Sequence, residues 1–257
     1  MSTAATGQTA LPACGDPDTL YLVDISGYVF RAYHALPMLT TARGLPTNAL
    51  YGVATMLLKL VQDQRPRKLA VAMDCQGPSF RKNLFGAYKV NRPPAPPELK
   101  EQMGRVRELA SSLSMAVFER EEAEADDVIA ALVRQALAQG TPVVIVSADK
   151  DLMQLVGDQV LLFDSMRGRV YGPREVEAKL GVPPVQVRDL LALMGDSSDN
   201  VPGVPSVGPK TAVALLAEYG TLDGIYAKLD QVKRQGLRTK LEQHKAQAYL
   251  SRDLVTL

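Results

Sequence analysis

Short apolar runs alternate with longer amphipathic stretches along most of this 257-residue chain. Three of the runs, Leu20–Val23, Leu69–Met73 and Val143–Val146, are apolar throughout and too short to be typical helices. Continuous apolar runs of this length are typical of parallel strands that are covered on both faces. The pattern therefore predicts an α/β fold, with a central, mostly parallel sheet flanked by helices.

Helical apolar spacing marks several of the intervening segments. It predicts helices over Tyr28–Leu36 and Asn48–Gln62, and a third from residue 124 to a terminating glycine at residue 140. Val160–Phe163 predicts a further strand, which leads through a turn at residues 167–169 into a hairpin. Asp164 follows that strand, but we leave it outside the predicted site because it enters a hairpin and not a crossover.

Residues 81–97 interrupt this alternation with basic side chains and a run of prolines between Arg92 and Pro97. Prolines at that density exclude a helix, and helical spacing resumes over Glu98–Ser114. Because residues 81–97 offer few apolar side chains to bury, we expect them to be held loosely. The region of about residues 78–114, called the arch segment below, is predicted to form a lid over a site.

The C-terminal part of the chain has a different pattern. Predicted helices over Val185–Met194 and Pro209–Tyr219 flank a turn rich in glycine and proline. We therefore predict an α/β domain over residues 20–182 and a helical module over residues 183–257. Residues 1–19, which are small, polar and interrupted by Pro and Gly, are predicted to be a disordered leader.

Each of the first three predicted strands leads to an aspartate: Asp24, Asp74 and, after a short gap, Asp149. The carboxyl ends of the strands in an open α/β sheet form the functional crevice. Carboxylates that meet there raise each other's pKa unless a cation lies among them. Hard divalent metals suit such a group of oxygen ligands, so the pattern indicates phosphate chemistry.

Further acids lie where they can reach the same place. Glu124, Asp126 and Asp127 fall within four positions at the start of a predicted helix. A favourable interaction with the helix dipole is enough to explain one acid in a first turn, but not three. Others belong to an Asp-Lys-Asp motif and to a loop that begins at Gly195. The predicted cluster has nine members: Asp24, Asp74, Glu124, Asp126, Asp127, Asp149, Asp151, Asp196 and Asp199.

The net charge of +1 hides an uneven distribution of charge. With the nine clustered acids set aside, 19 acidic residues remain against 29 basic ones. The basic residues concentrate in residues 81–107 and 228–252. Such runs are usually solvated surface, but two of them beside an acidic site indicate a polyanion that is held electrostatically.

Composition narrows the cellular setting. No apolar stretch approaches the length of a membrane span, and the first thirty residues lack the basic residues of a secretory signal. Only two cysteines, Cys14 and Cys75, are present, so we expect no disulfide and a reducing, cytoplasmic location. His34 and His244 stand alone, which argues against a zinc site.

In combination, the motifs resemble those of the 5′-nuclease family, which includes flap endonucleases, phage 5′-exonucleases and the N-terminal nuclease domain of bacterial DNA polymerase I. The resemblance runs from about Tyr21 to Leu257 and implies a PIN-like domain followed by a helix–three-turn–helix DNA-binding module. The motifs are Val23-Asp24, Met73-Asp74, Glu124-Ala125-Asp126-Asp127, Ser147-Ala148-Asp149-Lys150-Asp151, Gly195-Asp196-Ser197-Ser198-Asp199-Asn200 and the turn Gly203–Lys210.

The resemblance also implies site roles. Two divalent metals, Mg²⁺ or Mn²⁺, are expected, and K⁺ is a further candidate at carbonyls of the helix–three-turn–helix turn. Lys89 and Arg92 are expected to act on the scissile phosphate together with Asp126. The first metal would be held by Asp24, Asp74, Glu124 and Asp126, and the second by Asp149, Asp151, Asp196 and Asp199, with Asp126 near both and Asp127 in support.

A further set of residues is expected to contact DNA. Amides at the start of the helix after Pro209 suit a phosphate, and Tyr88 could stack on a base. The resemblance implies base stacking for Tyr33 as well, although Tyr33 could instead pack on its own helix. The predicted DNA contacts are Tyr33, Arg81, Tyr88, Lys89, Arg92, Gly203, Gly208, Lys210 and Thr211.

The function implied is that of a structure-selective 5′-3′ exonuclease and 5′-flap endonuclease in DNA replication or repair. DNA with 5′ ends or 5′ flaps would be the substrate, with RNA primers as a further candidate, and the protein would be a monomer without a membrane partner. Relatives linked to a polymerase continue beyond the equivalent of Leu257, so we expect a free-standing nuclease. Ala123 departs from the family pattern, because many relatives carry an aromatic residue there.

Two other functions fit parts of the pattern. An aspartate-based phosphotransferase also places acids at strand ends, but a phosphatase of the dehalogenase type needs an Asp at the position of Ser26. A non-catalytic relative that binds branched DNA would keep only the helical module, and the nine acids argue against it. A cleavage assay with a labelled 5′ flap and Mg²⁺ distinguishes these functions.

Overall fold

The computed structural model describes residues 9–75 and 77–257. Its sheet has six strands in the order β3-β2-β1-β4-β5-β6, in which β6 runs antiparallel to β5 and the other neighbours are parallel. The predicted α/β class with a mostly parallel sheet is therefore confirmed. The strands are β1 (Leu20–Asp24), β2 (Lys68–Ala72), β3 (Ala116–Phe118), β4 (Val143–Val146), β5 (Val160–Asp164) and β6 (Arg169–Tyr171).

Helices cover both faces of the sheet and form the C-terminal part of the chain. None of the described helices is both long enough and apolar enough to cross a membrane. Short 3₁₀ helices occupy Asp151–Leu155 and Leu229–Gln231. The α-helices are α1 (Ile25–Ala35), α2 (Asn48–Gln64), α3 (Phe80–Leu84), α4 (Pro97–Ser112), α5 (Ala125–Ala138), α6 (Pro173–Leu180), α7 (Pro184–Met194), α8 (Pro209–Tyr219), α9 (Leu222–Ala227), α10 (Gln235–Gln243) and α11 (Lys245–Val255).

The sheet has a topological switch point between β1 and β4. The chain adds β2 and β3 on one side of β1, then returns to add β4 and β5 on the other side. Val23 near the end of β1 pairs with Val71 on one side and Val146 on the other. Ligand crevices in open α/β sheets lie beyond the strands at this point, so the fold brings Asp24 and Ser147 to the crevice.

The strands read as continuous apolar runs because each face of the sheet has its own apolar layer. Tyr21 and Val23 pack with residues of α1, α2 and α4. Leu22 and Ile145 face the other side and pack with residues of α5, α7 and α11. Successive side chains of a strand point to opposite faces, so a strand covered on both faces needs apolar residues at every position.

The segment before β1 is folded against the domain wherever it is described. The Thr9 hydroxyl donates to Glu175 at 2.7 Å, and Leu11 packs against the α1–α2 layer. Thr19 is only 1% exposed. The prediction of a disordered leader is therefore wrong for residues 9–19, because their polar groups find partners in distant elements. Residues 1–8 lie outside the described residues.

The arch segment is also more firmly held than expected. Its first part forms the short helix α3, and the proline-rich residues 93–96 are non-helical as predicted. Arg81 and Tyr88 are buried, at 2% and 4% exposure. The expectation of a loosely held segment is wrong at these two positions, because carboxylates bond both side chains and Tyr88 also belongs to the apolar core.

The C-terminal helices pack around the turn between α7 and α8, which we call the clamp turn (residues 195–208). Gly203 and Gly195 both adopt positive φ, and a Cβ on Gly203 would lie 2.4 Å from the Gly195 nitrogen. Glycine at 203 is therefore required by a close approach of two backbone segments within the protein. The predicted helical module is confirmed.

Candidate active site

A cleft of about 300 Å³ opens at the carboxyl ends of β1, β2 and β4. Three basic side chains, Arg31, Lys89 and Arg92, also line it. Asp127, Asp151 and Asp196 of the predicted cluster lie outside its lining. The structure brings six of the nine predicted acids to the cleft: Asp24, Asp74, Glu124, Asp126, Asp149 and Asp199.

Asp24 occupies the switch point and caps α1. One carboxylate oxygen accepts from the Gly27 amide at 3.0 Å, and the other accepts from the Ser147 hydroxyl at 2.9 Å. Burial is the largest cause that raises the pKa of Asp24 to about 6; the two hydrogen bonds oppose this rise, and the charges of Asp74 and Asp149 add to it. The carboxylate is thus fixed in direction while its charge is poorly compensated.

Asp74 is held in place by main-chain and hydroxyl groups from two other elements. Its Oδ1 accepts from the Ala125 amide at 2.8 Å, at the start of α5. Its own amide donates to the Ser26 hydroxyl at 3.2 Å. Ser26, the position where a phosphatase of the dehalogenase type needs an acid, therefore orients Asp74 instead.

Asp126, Asp149 and Asp151 extend the acidic group across the cleft. Burial, followed by the charges of Asp24 and Asp149, raises the pKa of Asp126 well above its ordinary value. Burial, followed by the charge of Asp149, raises the pKa of Asp151 to about 7. One buried oxygen of Asp151, Oδ1, has no hydrogen-bond partner among the described residues. These acids therefore lack a compensating group at close range.

Glu124 and Asp199 differ from these acids because the arch segment supplies their counter-charge. The Lys89 ammonium lies 2.7 Å from Glu124 and 3.7 Å from Asp199. Arg92 forms an ion pair with Asp199, and the Tyr88 hydroxyl donates to Glu124 at 3.1 Å and to Asp199 at 3.2 Å. The two basic residues predicted to act on phosphate thus lie inside the cleft, paired with two predicted metal ligands.

Asp196 is compensated by a residue of its neighbouring acidic motif. Its carboxylate lies 2.8 Å from the Lys150 ammonium and accepts from the Ser198 amide at 2.8 Å. Burial alone would raise the pKa of Asp196, but the hydrogen bond and charge of Lys150 outweigh burial, and the pKa is lowered. Asp196 is therefore ionised at neutral pH beside the cleft.

Asp127, which is partly buried, and Arg81, which is buried, form an ion pair outside the lining of the cleft. The Arg81 guanidinium also lies 3.7 Å from Glu124, a residue of the cleft. The guanidinium donates to both oxygens of Asp127, at 2.6 and 2.7 Å, and to the carbonyls of Leu254 and Thr256. Asp127 also accepts from the Glu124 amide at 2.9 Å. The predictions of Asp127 as a metal ligand and of Arg81 as a DNA contact are wrong, because each side chain is committed to the other.

Tyr88 is similarly unavailable to a nucleobase. The side chain is 4% exposed, and burial, followed by the charges of Glu124 and Asp199, raises the pKa of its phenol. The Lys89 ammonium lies 5.0 Å from the ring centroid. Its predicted stacking role is wrong in this conformation, because the ring is buried and Lys89 lies over it.

Helix α1 presents two cleft residues that sequence reasoning missed. Phe30, which is 39% exposed, and Arg31 both line the cleft. Tyr33, the predicted stacking residue, is absent from the cleft lining and packs partly against the α1–α2 layer. Helical spacing could have found Phe30 and Arg31, because they follow Gly27, which contacts Asp24, by three and four positions.

Asp164 also lines the cleft, although the sequence analysis left it outside the site. It is 3% exposed and lies 3.9 Å from Arg31 and 3.6 Å from Arg167. The expectation that the hairpin would carry it away is wrong, because β5 pairs in parallel with β4 and ends at the same edge of the sheet.

The predicted DNA contacts of the clamp turn divide into two groups. Gly203 is buried, and both its main-chain groups are bonded to α11. Gly208 caps α8, and a Cβ placed there would meet no atom within 4 Å. Lys210 and Thr211 follow in the first turn of α8 and line a surface groove with Arg234. An anion could approach the start of α8 but not the backbone of Gly203.

The acids of the site differ in how well their chemistry and their arrangement suit a divalent metal. In the described part of the chain, no three acidic, histidine or cysteine side chains converge closely enough to hold an ion in this conformation. The chemistry nevertheless fits: the cleft gathers hard oxygen donors, mutual repulsion and burial raise three of their pKa values, and Asp151 Oδ1 has no partner. The residues therefore suit divalent cations as a donor set, without a preformed coordination sphere.

Comparison with known proteins agrees with this architecture. Residues 19–181 match the family described as 5′-3′ exonuclease, N-terminal resolvase-like domain, and residues 182–257 match 5′-3′ exonuclease, C-terminal SAM fold. Among solved structures, the 5′-exonuclease of T5 with bound zinc superposes with a TM-score of 0.76 and 25% identity, over 92% of this chain and 89% of that one. A complex of T5 flap endonuclease with DNA and metal ions gives a TM-score of 0.74 at 25% identity, over 92% and 88%.

Proteins with similar sequences point to the same family as the matches above. DNA polymerase I of Rhizobium leguminosarum is 48% identical over 93% of this chain, but the match covers only 24% of that protein. The chain thus spans about a quarter of the length of the DNA polymerase I relatives that it matches. A 5′-3′ exonuclease of Aquifex aeolicus is 41% identical over 87% of this chain and 78% of its own length. From its fold and its relatives, the chain belongs to the 5′-3′ exonuclease family of nucleases.

Proposed function

We propose that the chain is a structure-selective 5′-nuclease that hydrolyses DNA phosphodiesters as a 5′-3′ exonuclease and 5′-flap endonuclease. One observation carries the proposal: a single cleft holds a group of acids without close counter-charge, with Lys89 and Arg92 on its rim. A role in replication or repair follows from the family. The T5 structures with zinc and with DNA and metal ions support both the cofactor and the substrate class.

The acids of the cleft would hold the divalent metals, Mg²⁺ or Mn²⁺. When bound, two such ions supply Lewis-acid charge to phosphate oxygens and make a water nucleophilic at neutral pH. Among residues 9–75 and 77–257, the candidate ligands without an ion pair are Asp24, Asp74, Asp126, Asp149 and Asp151, with the paired Glu124, Asp196 and Asp199 completing the set.

Lys89 and Arg92 would act on the substrate directly. Both line the cleft and are partly exposed, so a phosphate that enters meets two cations without a large movement of the arch segment. Positive charge placed before the reaction stabilises the charge that develops on the phosphate. Phe30 and Arg31 offer an aromatic face and a further cation on the wall formed by α1.

The clamp turn would hold duplex DNA outside the cleft. Backbone amides at the start of α8 and the exposed Lys210 suit a backbone phosphate. K⁺ at carbonyls of this turn belongs to the same proposal, although the Gly203 carbonyl already accepts from Gln247 at 2.7 Å. RNA primers as substrates and a monomeric state follow from the family resemblance.

The division of the chain and its location complete the proposal. A boundary between residues 182 and 183 is supported by the two family matches, which meet at residues 181 and 182. A reducing, cytoplasmic setting is supported by Cys14 and Cys75, which form no disulfide in the described chain.

Cleavage of a 5′-labelled flap substrate in Mg²⁺ tests the function, with a 3′ flap and EDTA as controls. We expect Mg²⁺-dependent cleavage of the 5′ flap alone. Binding of the flap without cleavage would identify the non-catalytic alternative. Hydrolysis of p-nitrophenyl phosphate without action on DNA would identify the phosphotransferase alternative, and either result would overturn the proposal.

A further inference from the structure

The C-terminal end of α11 contacts two loops that carry acids of the site. The Leu254 and Thr256 carbonyls accept from Arg81, at 2.7 and 3.0 Å. The Val255 carbonyl between them accepts from the Gln154 amide at 3.0 Å. The last carbonyls of a helix have no partner within the helix, so side chains that donate to them fix the position of the helix end.

Gln154 connects this helix end to the loop of Asp149 and Asp151. Its side-chain amide also donates to the Asp151 carbonyl at 2.9 Å, and its oxygen accepts from the Leu257 amide at 3.3 Å. Asp151 and Gln154 share one short 3₁₀ helix. The position of Asp151 therefore depends on the distance between this helix and the end of α11.

Arg81 connects the same helix end to the start of α5. The guanidinium holds both oxygens of Asp127, and Asp127 holds the amide of Glu124. Glu124 is one partner of this contact, and Asp126 lies between Glu124 and Asp127 in the sequence. The two acidic loops thus share one point of attachment, although Arg81 and Gln154 are not among the residues that line the cleft.

The preceding turns of α11 hold the clamp turn. Gln247 donates to the Gly203 carbonyl at 2.7 Å, and Ser251 accepts from the Gly203 amide at 3.0 Å. One rigid helix therefore contacts the turn that would grip DNA and, about one turn later, the loops that would hold the metals.

From these contacts we infer that Gln154 and Arg81 are positioning residues for the nuclease reaction. Through their hydrogen bonds to the end of α11, they hold the Asp149–Asp151 loop and the start of α5 at fixed positions relative to the clamp turn. The inference rests on the proposed function, because it concerns acids assigned there to the metals. Groups that orient metal ligands from behind commonly change metal affinity or activity by about 10- to 100-fold when removed.

Gln154→Leu is the sharpest test, because leucine keeps the size and neutrality of the side chain while removing its hydrogen bonds. We expect kcat on the flap substrate to fall about 10- to 100-fold at unchanged KM. Mn²⁺ affinity, measured by calorimetry on DNA-free protein, should fall over the same range. Tyr249→Phe is the matched control, because Tyr249 lies on α11 but its hydroxyl donates to Asp223; it should leave kcat and Mn²⁺ affinity unchanged.

Arg81 provides a second comparison. Arg81→Lys keeps a cation beside Asp127 but has too few donors for Leu254 and Thr256 as well, so a smaller fall in Mn²⁺ affinity than in Arg81→Met is expected. If Arg81→Met fails to fold, Gln154→Leu alone decides. The effects of Arg81→Lys and Gln154→Leu should be non-additive in the double variant, because the two residues share one attachment point.

Three outcomes overturn the inference: kcat and Mn²⁺ affinity of Gln154→Leu within twofold of the unsubstituted chain, an equal loss in Tyr249→Phe, or a loss explained by the unfolded fraction in melting curves. Failure of the proposed function is a separate result. In that case the unsubstituted chain does not cleave the flap at all, whereas the calorimetric comparison still reports on the positioning of the acids.

Discussion

The acids of the site form two groups that balance their charge in different ways. Burial is the largest cause of the raised pKa values of Asp24, Asp126 and Asp151, and an amide and a hydroxyl hold the Asp24 carboxylate. Glu124 and Asp199 lie on the rim and pair with cations of the arch segment. Within the residues that the structure describes, the negative charge of the inner group therefore has no cation of the protein close to it, whereas the charge of the rim group is balanced by Lys89 and Arg92.

This difference separates two parts of the proposed chemistry. The inner acids gain most from an added divalent cation, because repulsion and burial both penalise their ionised forms. The rim acids keep Lys89 and Arg92 where a phosphate would enter. Removing an inner acid should therefore affect metal binding, and removing a rim cation should affect the charged transition state.

The largest effect is expected at Asp149, whose charge contributes to the raised pKa values of all three inner acids. Asp149→Asn should abolish flap cleavage, because it removes a candidate metal ligand, while DNA affinity stays unchanged or rises with the loss of a repulsive charge. Cleavage and filter binding of the same labelled flap measure the two properties separately. Loss of DNA binding in Asp149→Asn would contradict the separation of the cleft from the DNA grip.

A rim cation should have the next largest effect. Lys89→Ala should lower kcat by about 10²–10³, the usual cost of losing one donor that stabilises developing charge. Lys59→Ala, an exposed lysine of α2 outside both basic runs, serves as the control and should be silent. Equal kcat values for the two variants in single-turnover assays would remove Lys89 from the reaction.

Stability without metal should depend on pH in the direction set by the inner acids. The pKa of Asp24 rises from 3.8 to about 6 and that of Asp151 from 3.8 to about 7, so between pH 4 and 7 the folded state binds more protons than the unfolded state. The free energy of unfolding in EDTA should therefore fall as pH rises through this window, by about 3 kcal/mol for Asp24 alone.

Metal should reverse this trend. At pH 7.5 a divalent cation at a hundredfold excess over its Kd should stabilise the fold by about 2.7 kcal/mol. Thermal melts at pH 5 and 7.5, with EDTA or with Mg²⁺, give all four values. Identical midpoints with and without metal at pH 7.5 would argue against metal binding by the inner acids.

The smallest effect concerns the grip on DNA. Lys210→Ala should weaken duplex binding regardless of sequence and reduce the slope of log K against log salt by about one. Lys68→Ala is the control, because Lys68 begins β2 at the end of the strand away from the cleft. A slope unchanged by Lys210→Ala would mean that the start of α8 does not contact a phosphate.

Much of this arrangement could be predicted from the sequence, because strand order and helix spacing determine it. Apolar runs that end on Asp24 and Asp74 identified strands and site together, since parallel strands deliver their last residues to one edge. The acids of the 195–200 loop entered through motif resemblance, and the structure brings Asp199 into the cleft.

The remaining features depend on which side chains contact each other in the folded protein, and the sequence pattern does not contain this information. Arg81 and Lys89 look equivalent in sequence, yet one is buried against Asp127 and the other faces the cleft. Asp127 and Asp126 are neighbours, but the helical rotation of 100° sends them to different surroundings. We left Asp164 outside the predicted site because a hairpin follows it. Its position is instead determined by the parallel pairing of β5 with β4, which brings the end of β5 to the cleft.

The junction between the arch segment and the 195–200 loop keeps its geometry independently of its side chains. Beyond the side-chain pairs, the arch segment is aligned with the 195–200 loop by a main-chain hydrogen bond from the Lys89 amide to the Asp199 carbonyl, at 2.8 Å. Lys89 adopts a positive φ of 54° to make it. Substitutions at these two positions leave both bonding atoms in place, and glycine at residue 89 would tolerate this backbone conformation best. The alignment of the two loops can therefore survive while the chemistry between them is exchanged, which makes this junction a place to graft other functional groups.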